Sequence, residues 1–222
     1  MPIDKYSMRV NRATPNSGEI VLYGTIGQSW WDMDGVTAAQ FQRDLRALGS
    51  VETIDLRLNS EGGVITDAQT MYTLLREHPA TVNVHIDGFA ASAASFLAMV
   101  GDTISIAEGG FLMIHNARGG AMGTAPELER AAEVLRSMND MIARKYMDRS
   151  GQPAEKIAQW MDDETWFEGR RAVDLGFATS LVNNMKMAAC SRGAMFNMFN
   201  HVPVAARLNR QKIGNLLESV RR

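Results

Sequence analysis

The sequence predicts an α/β fold built on parallel strands, and two observations carry that expectation. Thr53-Ile-Asp-Leu-Arg-Leu58 alternates strictly, and Val82, Val84 and Ile86 do the same, which is the period of a half-buried strand. Between them, Ala68, Met71, Leu74 and Leu75 recur at helical spacing over residues 67–77. Strand, helix and strand in succession imply a parallel pair joined by a right-handed crossover.

The chain has 222 residues, 45% hydrophobic and 22% charged, enough for one domain with a core and a short tail. Residues 1–17 carry Asp4, Lys5, Arg9 and Arg12 with no apolar run, so no secretory signal is expected. The longest apolar stretch, residues 89–100, falls short of the roughly 20 residues a membrane span needs. Cys190 is the single cysteine, which rules out an intramolecular disulfide and fits a reducing cytoplasm. A net charge of −2 offers no global attraction to nucleic acid or membrane lipid. Charge is uneven, however: beyond Asn183 there are seven Lys/Arg and one acid, Glu218. The expected organisation is an N-terminal segment at 1–17, a domain at 18–182 and a basic, Met-rich, flexible tail at 183–222.

Further along, residues 103–106 and 111–114 are strand-prone and should continue the sheet. Thr124-Ala-Pro-Glu127 reads as a helix start, with Thr124 as N-cap and Glu127 completing a capping box. Leu128, Ala131, Leu135, Met138, Ile142 and Tyr146 then recur at three-and-four spacing up to Ser150-Gly151, a helix of roughly 35 Å. Such a helix overhangs a domain of this size. It is either a core helix or an arm that buries its stripe against another subunit.

Three predicted strands end in unusual material. Leu58 runs into Asn59-Ser-Glu-Gly-Gly63, Ile86 into Asp87-Gly-Phe-Ala-Ala-Ser92, and Ile114 directly into His115. Ligands of open α/β sheets bind outside the carboxyl ends of strands, so these segments should converge on one crevice. Ser92 precedes a run of small residues that reads as a helix start, where free N–H groups and the positive end of the dipole favour a nucleophile. A plain N-cap serine gives the same local pattern. Ser95, one turn on, should point into helix packing, and Ser60 should lie in the turn. A serine needs a base and an oxyanion site. His115 is the candidate base, since His78 ends a helix before Pro79, His85 sits inside a strand and His201 lies in the tail. The Gly62-Gly63 peptide and the N–H of Ala93 are the candidate oxyanion donors. No metal site or cofactor is expected, because His115 has no second histidine or acid at ligand spacing.

Four segments in order, Asn59-Ser-Glu-Gly-Gly63-Val-Ile-Thr, Gly88-Phe-Ala-Ala-Ser92-Ala-Ala-Ser-Phe-Leu, Met113-Ile-His115-Asn and Ala172-Val-Asp-Leu-Gly176-Phe, resemble the proteolytic subunit family of the Clp protease across about residues 18–182. The resemblance implies a crotonase-like fold of stacked ββα units with a protruding handle helix at residues 126–149. It implies heptameric rings stacked face to face, a serine endopeptidase of the Ser-His-Asp type acting on polypeptides inside a chamber, and an AAA+ unfoldase partner. Carried over by motif, Ser92 matches the nucleophile, His115 the base, and Gly63 and Ala93 the oxyanion donors. Counting back from Gly176 puts Glu164 at the third position, with Asp163 beside it. A glutamate can orient an imidazole as an aspartate does.

Some positions depart from the family pattern: Glu61 replaces a proline, Ala94 a glycine, and Asn116-Ala117 a Gln-Pro pair. With Glu164-Thr-Trp-Phe and a short N-terminus, the chain looks like the Clp-related head maturation proteases of tailed phages, which process capsid and scaffold proteins. Three rivals stand beside this reading. A crotonase-type acyl-CoA enzyme shares the oxyanion geometry but needs no serine-histidine pair. A serine-lysine peptidase needs a lysine, and none lies between the nucleophile and histidine motifs. A catalytically inactive ring-forming subunit would keep the fold alone.

Overall fold

The alternating segment that starts at Thr53 proves longer than its sequence pattern. A computed structural model describes residues 6–11, 16–28, 34–183 and 199–203, and in it the chain forms a mixed sheet with helices. The first elements are β1 (Tyr6–Asn11), β2 (Ser17–Ile26), α1 (Ala38–Leu48), β3 (Thr53–Gly63), α2 (Ile65–Glu77), β4 (Thr81–Ala91) and α3 (Ala93–Ala98). They are followed by β5 (Thr103–Ala107), β6 (Phe111–Ile114), α4 (Ala125–Ser150), α5 (Ala154–Asp162), β7 (Thr165–Glu168), α6 (Gly169–Asp174) and β8 (Ser180–Val182). Along the sheet the order is β1-β2-β3-β4-β5-β8. Every pairing from β2 through β8 on this path is parallel, and β1 joins antiparallel at the edge.

The strand ends differ from the sequence expectation. The sequence pattern ends these strands at Leu58 and Ile86, yet Asn59 to Gly63 and Asp87 to Ala91 continue them in the sheet. Thr25 and Ile26 of β2 ladder with Gly62 and Gly63, and Phe89 to Ala91 pair in parallel with Phe111 to Met113 of β6. These partners are remote in sequence, so local pattern carries no sign of them. β4 therefore has two neighbours on one side, β5 along Asn83 to Ile86 and β6 beyond Gly88. β6 in turn pairs antiparallel with β7.

Ile54, Leu56, Leu58, Val84 and Ile86 are buried against Phe41 and Leu45 of α1, Ala68, Met71 and Leu75 of α2, and Phe96 and Leu97 of α3. Burial of each large side chain is worth roughly 1.5–3 kcal/mol, which makes this cluster the main source of stability. α1 opens on Thr37, whose hydroxyl accepts from the Gln40 N–H at 3.2 Å.

α4 begins as the sequence predicts. The Thr124 N–H donates to Glu127 Oε2 at 2.7 Å, Glu127 occupies the N3 position of a capping box, and the helix ends at Gly151 in the left-handed conformation (φ 68°). Its 26 residues span about 39 Å. Only Ile142 and Tyr146 of the stripe are buried, Leu135 and Met138 are half-buried, and Leu128 and Val134 are 43% and 54% exposed. The tail expected at 183–222 lies outside the described residues except for 183 and 199–203. Phe199 and Val202 are buried with Phe89, Phe111, Met113 and the half-buried Trp166, while Asn200 and His201 between them are exposed.

Candidate active site

Register brings three strand ends together. Ala91 lies opposite Met113, Ile114 lies opposite Thr165, and the Ser92 N–H donates to the Met113 carbonyl at 3.1 Å. One residue outward along these strands stand Ser92, His115 and Glu164. Residues far apart in sequence become neighbours because β6 is shared between a parallel and an antiparallel partner.

Ser92 Oγ lies 2.7 Å from His115 Nε2. The serine holds φ 55° and ψ −125°, a region that costs a residue with a Cβ of the order of 1–3 kcal/mol. That conformation is retained by the bond to Met113 and by two helix bonds, from the Ser95 and Phe96 N–H groups to the Ser92 carbonyl. The other serines are committed elsewhere. Ser95 Oγ donates to the Ser92 carbonyl at 2.7 Å and lies 2.8 Å from Tyr146 Oη, while Ser60 Oγ accepts from the Gly62 N–H at 3.0 Å. Of the remaining histidines, His78 accepts from the Ala80 N–H, His85 bridges Ser105 and Asp55 on the sheet, and His201 bonds the Asp163 carbonyl.

The glycine pair is required by close approach. A Cβ at Gly62 (φ 98°) would stand 2.6 Å from the Ala91 carbonyl oxygen and 2.7 Å from Ser92 Cβ, and one at Gly63 (φ 145°) would stand 2.0 Å from the Ile26 carbonyl oxygen. No side chain fits either position, so the backbone of β3 can press directly against the Ser92 turn. Gly63, Ser92, Ala93, His115, Arg118 and Phe199 line one cavity of about 250 Å³.

Glu164, expected to orient the imidazole, bonds elsewhere. Its Oε1 accepts from the N–H groups of Asn200 and His201 at 2.7 and 2.9 Å, and its Oε2 accepts from Arg118. The structure thus brings Ser92 and His115 into hydrogen-bond contact and does not join Glu164 to His115. Asp163, the neighbouring alternative, contributes its carbonyl to His201. Glu164 adopts a positive φ of 49°, which turns its buried side chain towards Arg118 and the tail. Burial works to raise its pKa, but the His201 N–H, Arg118 and the Asn200 N–H together hold it below the ordinary carboxylate range.

His115 responds in the opposite way. Burial, and then the nearby Arg118 charge, push its pKa down to about 4, against a smaller upward pull from Glu164. The imidazole is therefore neutral at physiological pH. For Nε2 to accept the serine proton, the ring proton must sit on Nδ1. Among the described residues that buried atom has no hydrogen-bond partner, a deficit worth roughly 1–3 kcal/mol. A base poised beside a serine, with a buried donor on its far side awaiting a carboxylate, has the parts needed for acyl transfer.

Sequence reasoning did not identify Arg118 or residues 199–201 as part of this site. Arg118 had a signal, a permanent cation three residues beyond the candidate base. Phe199 had a weaker one, an aromatic side chain in a tail otherwise read as flexible.

The profile of the Clp protease family matches residues 19–185. The chain is 30% identical over 171 residues to the ATP-dependent Clp protease proteolytic subunit 1 of Streptomyces avermitilis, covering 75% of this chain and 76% of that one. It is 31% identical over 147 residues to the proteolytic subunit of Ligilactobacillus salivarius, covering 64% and 73%. With that of Pleurastrum terricola it shares 32% over 122 residues, covering 54% and 62%. A match across three-quarters of the sequence, over a mostly parallel sheet with helices, establishes that the chain belongs to the Clp protease family.

Proposed function

We propose that this protein is a serine endopeptidase that cleaves polypeptides through an acyl-enzyme. The observation that carries the reading is the 2.7 Å contact between Ser92 Oγ and His115 Nε2. Ser92 attacks the scissile carbonyl while His115 takes its proton, then returns it to the leaving amine. The N–H groups of Gly63 and Ala93 bind the oxyanion, and water, activated by His115, releases the acyl group. In the competent state Glu164 accepts the Nδ1 proton of His115 in a hydrogen bond and fixes the ring.

The same proposal extends to assembly. The uncovered stripe of α4 joins copies of the chain into a ring or double ring, heptameric by family resemblance, that encloses the active sites. Capsid or scaffold proteins of a phage are the proposed substrates, on the sequence departures at Glu61, Ala94 and Asn116-Ala117. An AAA+ unfoldase is the alternative source of polypeptide. The single cysteine supports a cytoplasmic location.

A fluorophosphonate probe tests the chemistry. It should label the wild-type protein at Ser92 and leave Ser92→Ala unlabelled, with peptide hydrolysis lost in parallel. Absence of labelling and of hydrolysis in the wild type would leave the inactive ring subunit as the better reading.

A further inference from the structure

Residues 199–203 touch both halves of the candidate site. Phe199 is buried and meets the His115 ring edge-on at 5.6 Å between centroids and 89° between planes. It meets Trp166 in the same way at 5.7 Å, and Trp166 stands edge-on to Phe89 and Phe111. Phe199 is thus anchored in an aromatic cluster while lining the cavity beside Ser92. The next two residues present successive N–H groups to Glu164 Oε1. Val202 is buried behind them, and the His201 ring bonds the Asp163 carbonyl.

These contacts explain why His115 Nδ1 has no partner among the described residues. Glu164, just before β7, sits across from His115, one step beyond the Ile114–Thr165 pair, but three donors converge on its carboxylate. Each is a charge-assisted bond, among the stronger kinds available to a buried side chain. Swinging the carboxylate to His115 requires giving up the tail, Arg118, or both. The geometry points to residues 199–203 as an intramolecular latch that fills the space beside the Ser92–His115 pair and holds Glu164 on Arg118, so the triad closes only when the segment is displaced. This inference rests on the serine peptidase reading and adds a regulatory state to it. A polypeptide entering the cavity competes with Phe199, and the apparent activity of the latched protein is reduced by the fraction of molecules that are open.

The test uses the full-length protein and two variants. Phe199→Ala empties the seat in the cavity. Asn200→Pro removes one N–H donor to Glu164 at an exposed position, without touching a core side chain. Both should retain the wild-type circular dichroism spectrum, and both should raise the rate of Ser92 labelling by a fluorophosphonate on the order of tenfold, with a parallel rise in peptide hydrolysis. Added Phe-Asn-His-Val-Pro peptide should slow labelling of Phe199→Ala competitively. If Phe199→Ala does not fold, Asn200→Pro decides alone. Folded variants that label at the wild-type rate or slower, with no effect of the peptide, would overturn the latch and leave the peptidase reading standing. No labelling in the wild type or either variant would overturn the peptidase reading and the latch with it.

Discussion

Tyr146 of the long helix reaches Ser95 beneath the candidate nucleophile: the two hydroxyl oxygens are 2.8 Å apart, and Ser95 passes the contact on to the Ser92 carbonyl at 2.7 Å. Tyr146 is fully buried, and burial raises its pKa well above that of a free phenol, with only a partial offset from Ser95. It acts as a neutral donor. The helix proposed as the assembly arm is therefore tied by hydrogen bonds to the turn that carries Ser92.

Ser95→Ala leaves the Tyr146 hydroxyl buried without its partner and should cost roughly 1–3 kcal/mol, whereas Tyr146→Phe removes only one bond and should cost about 1 kcal/mol. Urea denaturation should rank the two variants in that order. Both should still label at Ser92, because neither hydroxyl reaches His115. If Ser95→Ala proves unreactive while Ser92→Ala retains turnover, the nucleophile has been assigned to the wrong serine.

Ser92→Ala should abolish hydrolysis with fold and assembly intact, since it removes one oxygen from a half-buried position. His115→Ala should be as damaging, because members of a triad act as a unit and their losses do not add.

Glu164→Gln should cut kcat strongly with little change in KM, while Asp163→Asn should be nearly neutral. Glu164 keeps its carboxylate charge in a buried position across from His115, whereas Asp163 enters the site through its backbone. Steady-state kinetics on a short fluorogenic peptide would show it, and the reverse ranking would move the orienting role to Asp163.

The His115 pKa of about 4 has a definite sign in pH experiments. Only the neutral ring can accept the serine proton, so the acid limb of kcat/KM should fall well below pH 6.5. Between the unfolded value of 6.5 and the folded value of about 4, the unfolded chain binds more protons. Stability contributed by keeping this ring neutral is therefore present above pH 6.5 and is lost as pH falls towards 4. Urea midpoints measured across that window should decline more steeply in the wild type than in His115→Gln.

Leu135 and Met138 are half-buried on α4, and Leu128 stands exposed. Replacing Leu135 and Met138 by Asp puts two charges on the stripe proposed to join subunits, where unpaired burial is costly. The double variant should shift to smaller species in light scattering and lose peptidase activity together. A wild-type protein that is active as a monomer would contradict the assembly proposal.

What the sequence determined alone is local in its physics. Alternation at 53–58 and 82–86, helical spacing at 67–77 and the Thr124–Glu127 capping box are periodicities and short-range hydrogen bonds, legible without knowing any partner. The motifs around Gly62, Ser92 and His115 were legible for a related reason: positions that tolerate no Cβ, or that must expose a hydroxyl at a strand end, restrict residue choice strongly. Pairings between distant segments decided the rest. Asn59 to Gly63 and Asp87 to Ala91 look like loops until Thr25, Ile26 and β6 supply their ladders. The state of Glu164 depends on Arg118 and on two backbone N–H groups more than 30 residues downstream. A backbone N–H is present at every residue but proline, so the sequence cannot mark which ones a folded chain will aim at a buried carboxylate.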